Sequence, residues 1–227
     1  MCVLTPAQAA GLTDHAWTIE EILKRAIWLR GEIEIYTIKN KLYCLFVNFP
    51  NQGKKSTQAV ARLIEKSGGP IDYLRLSKLI YLADRESILQ RGIPIVGGHY
   101  FSMRKGPTIS EVMNFVNRRT APDWKETISP RFGNEIRLIS KPPQYGAISE
   151  SELGILDKIA MDHSAQTTDE LVEWCHKNCP EYEDVPPSQR KPIDVESILK
   201  GANRSAKKIL KLVQEAKEIE ELDALLA

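Results

Sequence analysis

The sequence predicts a mainly α-helical fold, a compact multi-helix domain with a small antiparallel β element. Three observations carry that expectation. Apolar residues recur at helical spacing in most segments from residue 56 onwards. Ser149-Glu150-Ser151-Glu152 and Thr167-Thr168-Asp169-Glu170 are capping boxes, in which hydroxyl and carboxylate satisfy each other's backbone donors three residues apart. A stretch rich in turn formers and β-prone residues, 93 to 107, interrupts the helical pattern.

Taken in order, residues 1 to 47 read as an N-terminal appendage. Thr13 or Asp14 caps a short helix through Trp17 to Trp28, and the alternation from Glu32 to Ile38 reads as a half-buried strand with 42 to 47 as a hairpin partner. Ser56 is the expected cap of the next helix, whose stripe is Ala59, Val60, Leu63 and Ile64 and whose end is Gly68-Gly69. Asp72 starts a second helix. Its Leu76, Leu79, Ile80 and Ala83 bury one face, leaving Lys78, Arg85 and Arg91 mostly off the stripe, and Gly92 before Ile93-Pro94 stops it.

The stretch 93 to 107 predicts a short strand or hairpin leading to a Gly106-Pro107 turn, after which Ser110 caps a helix to about Arg119. Glu135 to Ile139 is a second short strand, closed by Lys141-Pro142-Pro143. The two capping boxes open helices carrying Leu153, Leu156, Ile159 and Ala160, then Leu171, Val172, Trp174 and Cys175. Residues 180 to 192 read as a polar, Pro-rich loop; Asp194 caps a short helix ending at Gly201, and a last helix runs from about Asn203 to the C-terminus.

Composition narrows the function classes. In 227 residues, 42% are hydrophobic and 27% charged, which is the globular norm rather than a disordered chain. The net charge of +1 gives no overall basic excess of the sort that marks nucleic-acid binders. It is a cancellation, however: residues 48 to 120 carry 12 Lys and Arg against 5 Asp and Glu, and residues 141 to 227 carry 11 against 17. Apolar runs such as 42 to 47 fall far short of the roughly 20 residues of a membrane span. With no secretory signal pattern the chain reads as cytosolic, and four cysteines do not make a disulfide scaffold.

No catalytic constellation emerges. Cys175 and Cys179 share a helical face with His176 between them, but lack the further pair that structural zinc takes; they read as buried thiols beside Trp174, so no metal and no cofactor is expected. Gly97-Gly98 and Gly106-Pro107 fit neither phosphate-loop pattern. Asp84-Arg85-Glu86 reads as a surface or intramolecular salt bridge. An enzyme would need a pocket gathering Asp84, His99 and Lys105. The expectation is therefore a binding protein without catalysis.

Residues 76 to 86, Leu-Ser-Lys-Leu-Ile-Tyr-Leu-Ala-Asp-Arg-Glu, then Gly92-Ile93-Pro94-Ile95-Val96-Gly97, then residues 100 to 112 beginning Tyr100-Phe101-Ser102-Met103-Arg104-Lys105-Gly106-Pro107, resemble the Panacea (SocA-like) domain of bacterial and phage antitoxins. The elements occur in the family's order, and the likeness extends from about residue 50 to 205. It implies an antitoxin that neutralises a cognate toxin by direct protein–protein binding, the toxin being encoded by the neighbouring gene and of a kind the domain does not specify. One branch of the family instead acts as an adaptor delivering its toxin to an AAA+ protease. Carried over residue by residue, Lys78, Tyr81, Asp84, Pro94, Gly97, Met103, Gly106, Pro107 and Ser110 are scaffold positions. Arg85, His99, Tyr100, Arg104 and Lys105, taken as exposed members near the β segment, are the candidate partner contacts.

The resemblance divides the chain into the appendage 1–47, the Panacea-like domain 48–205 and a C-terminal helix 206–227. Residues 4 to 21 also resemble the tail of some insertion-sequence transposases without their catalytic core, which implies a gene-fusion remnant or an upstream start codon and fits a prophage or mobile-element setting. The alternative function is a DNA-binding autoregulator, with Lys54, Lys55, Arg75, Arg104, Lys105, Arg118 and Arg119 on phosphates.

Overall fold

The computed structural model describes residues 49–139 and 141–201, which lie within one compact unit, Asn48–Ala227. The expected N-terminal helix and hairpin, the transposase-like segment and the C-terminal helix fall outside the described residues. Among those described, the order is α1 (Gly53–Lys66), β1 (Ile71–Asp72), α2 (Tyr73–Arg91), β2 (Tyr100–Met103), β3 (Gly106–Ile109), α3 (Ser110–Arg118), α4 (Trp124–Thr127), β4 (Glu135–Ile136), α5 (Glu150–Asp162), α6 (Thr168–Asn178), β5 (Arg190–Ile193) and α7 (Val195–Gly201). The architecture is mainly α with a minor antiparallel β part, as the periodicity predicts. No helix among the described residues is long and apolar enough to cross a membrane.

Helix α2 is the axis of the domain. The Asp72 carboxylate accepts the N–H groups of Leu74 (2.8 Å) and Arg75 (3.1 Å), satisfying two free donors of the first turn. Gly92 ends the helix at φ +82°, a conformation that costs a residue with a Cβ. Every residue from Leu76 to Asp84 is buried, because α1, α5, α6, α7 and β3 all pack on this helix. The one-face stripe expected from the spacing therefore understates its burial, and Lys78, expected off the stripe, is 2% exposed.

Two helix starts differ from expectation. Ser56 does not cap α1; the helix begins a turn earlier, since the Ser56 N–H already donates to the Gln52 carbonyl at 2.8 Å, and its hydroxyl bonds Asn51 Oδ1 instead. Ser110 is the first residue of α3, not its cap, and Ile109 stands at the cap position without a side-chain bond. Both capping boxes are present, at Ser149/Glu152 and Thr167/Glu170. Helices α1 and α5 are then clamped by the Arg62 fork on Asp157, two bonds of 2.7 Å, and by Lys55 on Glu152 at 2.9 Å.

The β part comprises two small sheets. Strands β1 and β4 pair Ile71 with Ile136 and Asp72 with Glu135, the β4 pairing falling in the expected 135–139 segment. The other sheet has the order β3-β2-β5. Its register pairs Met103 with Gly106, so the hairpin turn is Arg104-Lys105, and Gly106-Pro107, expected as the turn, opens the return strand. Pro107 is tolerated because β3 is an edge strand, where a missing N–H breaks no ladder. Strand β5 lies in the segment expected to be a loop. Only Ile193 of its four residues is buried, so the strand carries almost no apolar pattern, and Pro192 blunts this other edge.

Candidate functional site

The residues that carry the motif converge where α2 meets the β2–β3 hairpin and the segment after α6. Asp84, wholly buried, is the hub. Its Oδ1 accepts the N–H groups of Ile95 (3.0 Å) and Val96 (2.9 Å), and its Oδ2 accepts the N–H of Gly97 (3.0 Å) and the hydroxyl of Tyr100 (2.9 Å). Burial pushes this carboxyl up to about 6, against the hydrogen bonds from Val96, Tyr100, Gly97 and Ile95 that hold it down. At neutral pH it is a carboxylate tying the 95–97 loop and β2 to the central helix. Gly97 sits at φ +66°, and a Cβ there would lie 2.9 Å from the carbonyl oxygens of Phe49 and Pro50.

One helical turn away, Tyr81 and Arg85 share a second buried carboxylate. The Tyr81 hydroxyl donates to Glu181 Oε1 at 2.7 Å and Arg85 Nε donates to the same oxygen at 2.6 Å, with Arg85 Nη2 reaching Oε2 at 3.4 Å. Burial and the Glu181 charge hold the Tyr81 hydroxyl well above its ordinary value. The rings of Tyr81 and Tyr100 meet edge-on at 6.0 Å, joining the two carboxylate clusters.

Lys78 completes the interior. Its ammonium donates to the Pro107 carbonyl at 2.7 Å, and burial lowers it to about 8 while the neighbouring Cys175 and Cys179 act to raise it. Gly106, beside this bond, takes φ +90°, a backbone conformation that favours glycine. His176 stacks on Tyr182 at 4.5 Å. Cys175 and Cys179 are free and buried, and among the described residues no group of three His, Cys, Asp or Glu is placed to hold a metal. His163 packs edge-on against Trp174 and bonds Gln166 through Nδ1.

The expected partner contacts divide. Tyr100 and Arg85 are not exposed: Tyr100 is buried against Asp84, and the Arg85 side chain is 13% exposed and spent on Glu181. The spacing puts both near the β segment but does not reveal which carboxylates claim them. His99, Arg104 and Lys105 are exposed; His99 Nδ1 pairs with Glu111 Oε1, while Arg104 and Lys105 form the hairpin turn beside the exposed Met103. Pro94, Gly97, Gly106 and Pro107 are buried, and Ser110 is half-buried. Asp84, His99 and Lys105 are thus committed to three different settings.

Of Asp84-Arg85-Glu86, expected to form a surface or intramolecular salt bridge, Arg85 makes an intramolecular pair with Glu181, and Asp84 is buried among backbone N–H groups and the Tyr100 hydroxyl. Of the seven cations suggested for phosphate contact, Lys55 pairs with Glu152. Arg75 gives both Nη groups to the His163 and Gln166 carbonyls at 2.5 Å, and Arg119 bonds the Lys125 and Ile128 carbonyls. Glu181 escapes the sequence reading. A Tyr and an Arg four apart on a buried helix require an acceptor, but nothing local distinguishes Glu181 from Glu183 or Asp184.

The family model described as antitoxin SocA-like, Panacea domain matches residues 76–181, a span that starts on the buried face of α2 and ends on the Glu181 carboxylate. That stretch is similar to the Panacea domain of SocA-like antitoxins. No curated protein and no solved structure matches the chain.

Proposed function

We propose that this chain is an antitoxin that neutralises a toxin protein by binding it directly, without catalysis of its own. The observation that carries the reading is the Panacea-domain match over residues 76–181. The interior supports it: the groups capable of acid–base chemistry, Asp84, Lys78, Tyr81 and Glu181, are each held by partners within the fold and are buried. These contacts fix a frame, and contact with a partner falls to exposed side chains such as His99, Arg104 and Lys105. The toxin is the product of the neighbouring gene. Co-expression tests this: the neighbouring gene alone arrests growth, and this chain restores it. A neighbour that is harmless alone, or that stays toxic beside this chain, overturns the reading.

A further inference from the structure

We propose that Phe132, at the tip of a rigid hairpin remote in sequence from the β2–β3 turn, is the apolar anchor by which the toxin is held. Phe132 is 89% exposed, although fully burying a Phe side chain is worth about 1.5–3 kcal/mol. Its exposure is not that of a loose loop. The Phe132 N–H donates to the Glu135 carbonyl (2.9 Å) and the Glu135 N–H returns to the Phe132 carbonyl (3.0 Å), closing a two-residue turn on Gly133 at φ +58°.

Further bonds brace the hairpin on both sides. Ser129 N–H reaches the Arg137 carbonyl, Ile139 N–H reaches the Thr127 carbonyl, and Tyr73 N–H, in the first residue of α2, donates to the Asn134 carbonyl at 2.7 Å. The tip is thereby fastened to the start of the central helix. A backbone held this way loses little further freedom on binding, so the cost of seating the ring is confined to its own two side-chain torsions.

The neighbours define the partner's chemistry. In the antiparallel register Phe132 lies opposite Glu135, and the alternation places Arg137 and Ile139 on the same outward side; all four are exposed. The Arg131 guanidinium is pinned over the Tyr73 ring at 4.4 Å, with its Nε on the Gly133 carbonyl at 2.8 Å. Beside the ring runs a groove of about 510 Å³, lined in part by Pro70, Pro130 and Ile136. An aromatic knob with an apolar groove at its base and fixed guanidinium charge at its side fits a protein surface that offers an apolar socket rimmed by carboxylates. A second copy of this chain is the poorer fit, since Arg131 and Arg137 outnumber the Glu135 carboxylate and a two-fold contact through this tip sets net positive charge against net positive charge.

This inference rests on the antitoxin reading. Its test measures binding of the purified neighbouring-gene product to wild type, F132A, F132W and E135A, with melting temperatures and sedimentation of the free antitoxin. F132A is expected to weaken binding on the order of 30-fold, as loss of a central aromatic anchor does, with an unchanged melting temperature. F132W retains binding, and E135A, which removes a carboxylate, binds no more weakly than wild type. If wild type neutralises the toxin and F132A binds it equally well, the anchor is overturned and the antitoxin reading stands. If wild type binds no toxin, both fall. A concentration-dependent dimer that F132A abolishes would overturn the toxin as occupant in favour of a second copy.

Discussion

Replacing Lys78 with methionine tests whether the interior is arranged as described. In the unfolded chain this ammonium releases its proton at 10.5, and in the folded protein burial brings that down to about 8. The charged form is therefore disfavoured on folding by roughly 3 kcal/mol, at 1.36 kcal/mol for each factor of ten. Below pH 8 both states carry the proton and the cost is constant. Between pH 8 and 10.5 the unfolded chain holds more protons than the folded one, so stability rises with pH. By pH 10 the gain reaches ~2 kcal/mol.

Methionine fills similar volume without a charge, leaving only the Pro107 carbonyl short of its donor, a loss of about 1 kcal/mol that does not vary with pH. Urea unfolding from pH 7 to 10 under reducing conditions reads the difference. The wild-type midpoint is expected to climb relative to K78M by ~2 kcal/mol-equivalent, with equal denaturant slopes. The Lys78 charge also helps to lower the Cys175 thiol, so the comparison is made with Cys175 replaced by alanine in both proteins. Tyr81 and Tyr100, whose hydroxyls burial holds protonated, act in the opposite sense only above pH 10, where unfolded tyrosines ionise. Parallel stability curves from pH 7 to 10 would refute a buried ammonium at this position.

Three further outcomes follow from the same interior. D84N turns an amide N–H₂ towards donors that now meet Oδ2, and is expected to lower stability by about 2–3 kcal/mol by chemical denaturation, the cost of buried donors left unmet. E181A strands the Tyr81 hydroxyl and the partly buried Arg85 guanidinium together; about 2–3 kcal/mol is expected, below the full value for a wholly buried pair because Arg85 keeps some solvent. G97A forces a Cβ to within 2.9 Å of two carbonyl oxygens at a positive φ, and a fall in melting temperature of several degrees is expected, matching roughly 1–3 kcal/mol of backbone strain.

Helix existence was legible because capping chemistry and periodicity are local. Asp72, Ser149 and Thr167 each act within four residues, and each caps its helix as read. What the sequence hid was non-local. The hairpin turn falls at Arg104-Lys105 because the strand register pairs Met103 with Gly106, and Gly106 is favoured there by its backbone at φ +90°, which the sequence does not reveal. The third strand of the sheet was invisible because an edge strand with one buried residue has no alternation to read. Arg85 and Tyr100 look like surface groups until Glu181 and Asp84 are placed beside them. Phe132 has no helical or strand pattern around it that would distinguish an exposed ring from a buried one.

This division also separates the residues that carry the motif from those that reach solvent. Of the residues on which the likeness to the Panacea domain rests, Lys78, Tyr81, Asp84, Gly97, Tyr100, Gly106 and Pro107 are buried, and Lys78 and Asp84 bind the backbone of Pro107 and Gly97. They fix where the α2 helix, the hairpin and the 95–97 loop lie, but present almost nothing to a partner. Side chains that do reach solvent, Arg104 and Lys105 at one hairpin and Phe132 and Arg137 at the other, make no contribution to that frame, so a change there alters the surface at little cost in stability. A frame of buried charge demands its particular residues because each unpaired group costs several kcal/mol, whereas a projecting turn tolerates any residue its backbone allows. The chemistry of the surface can therefore change by substitution at the turns while the buried motif stays fixed.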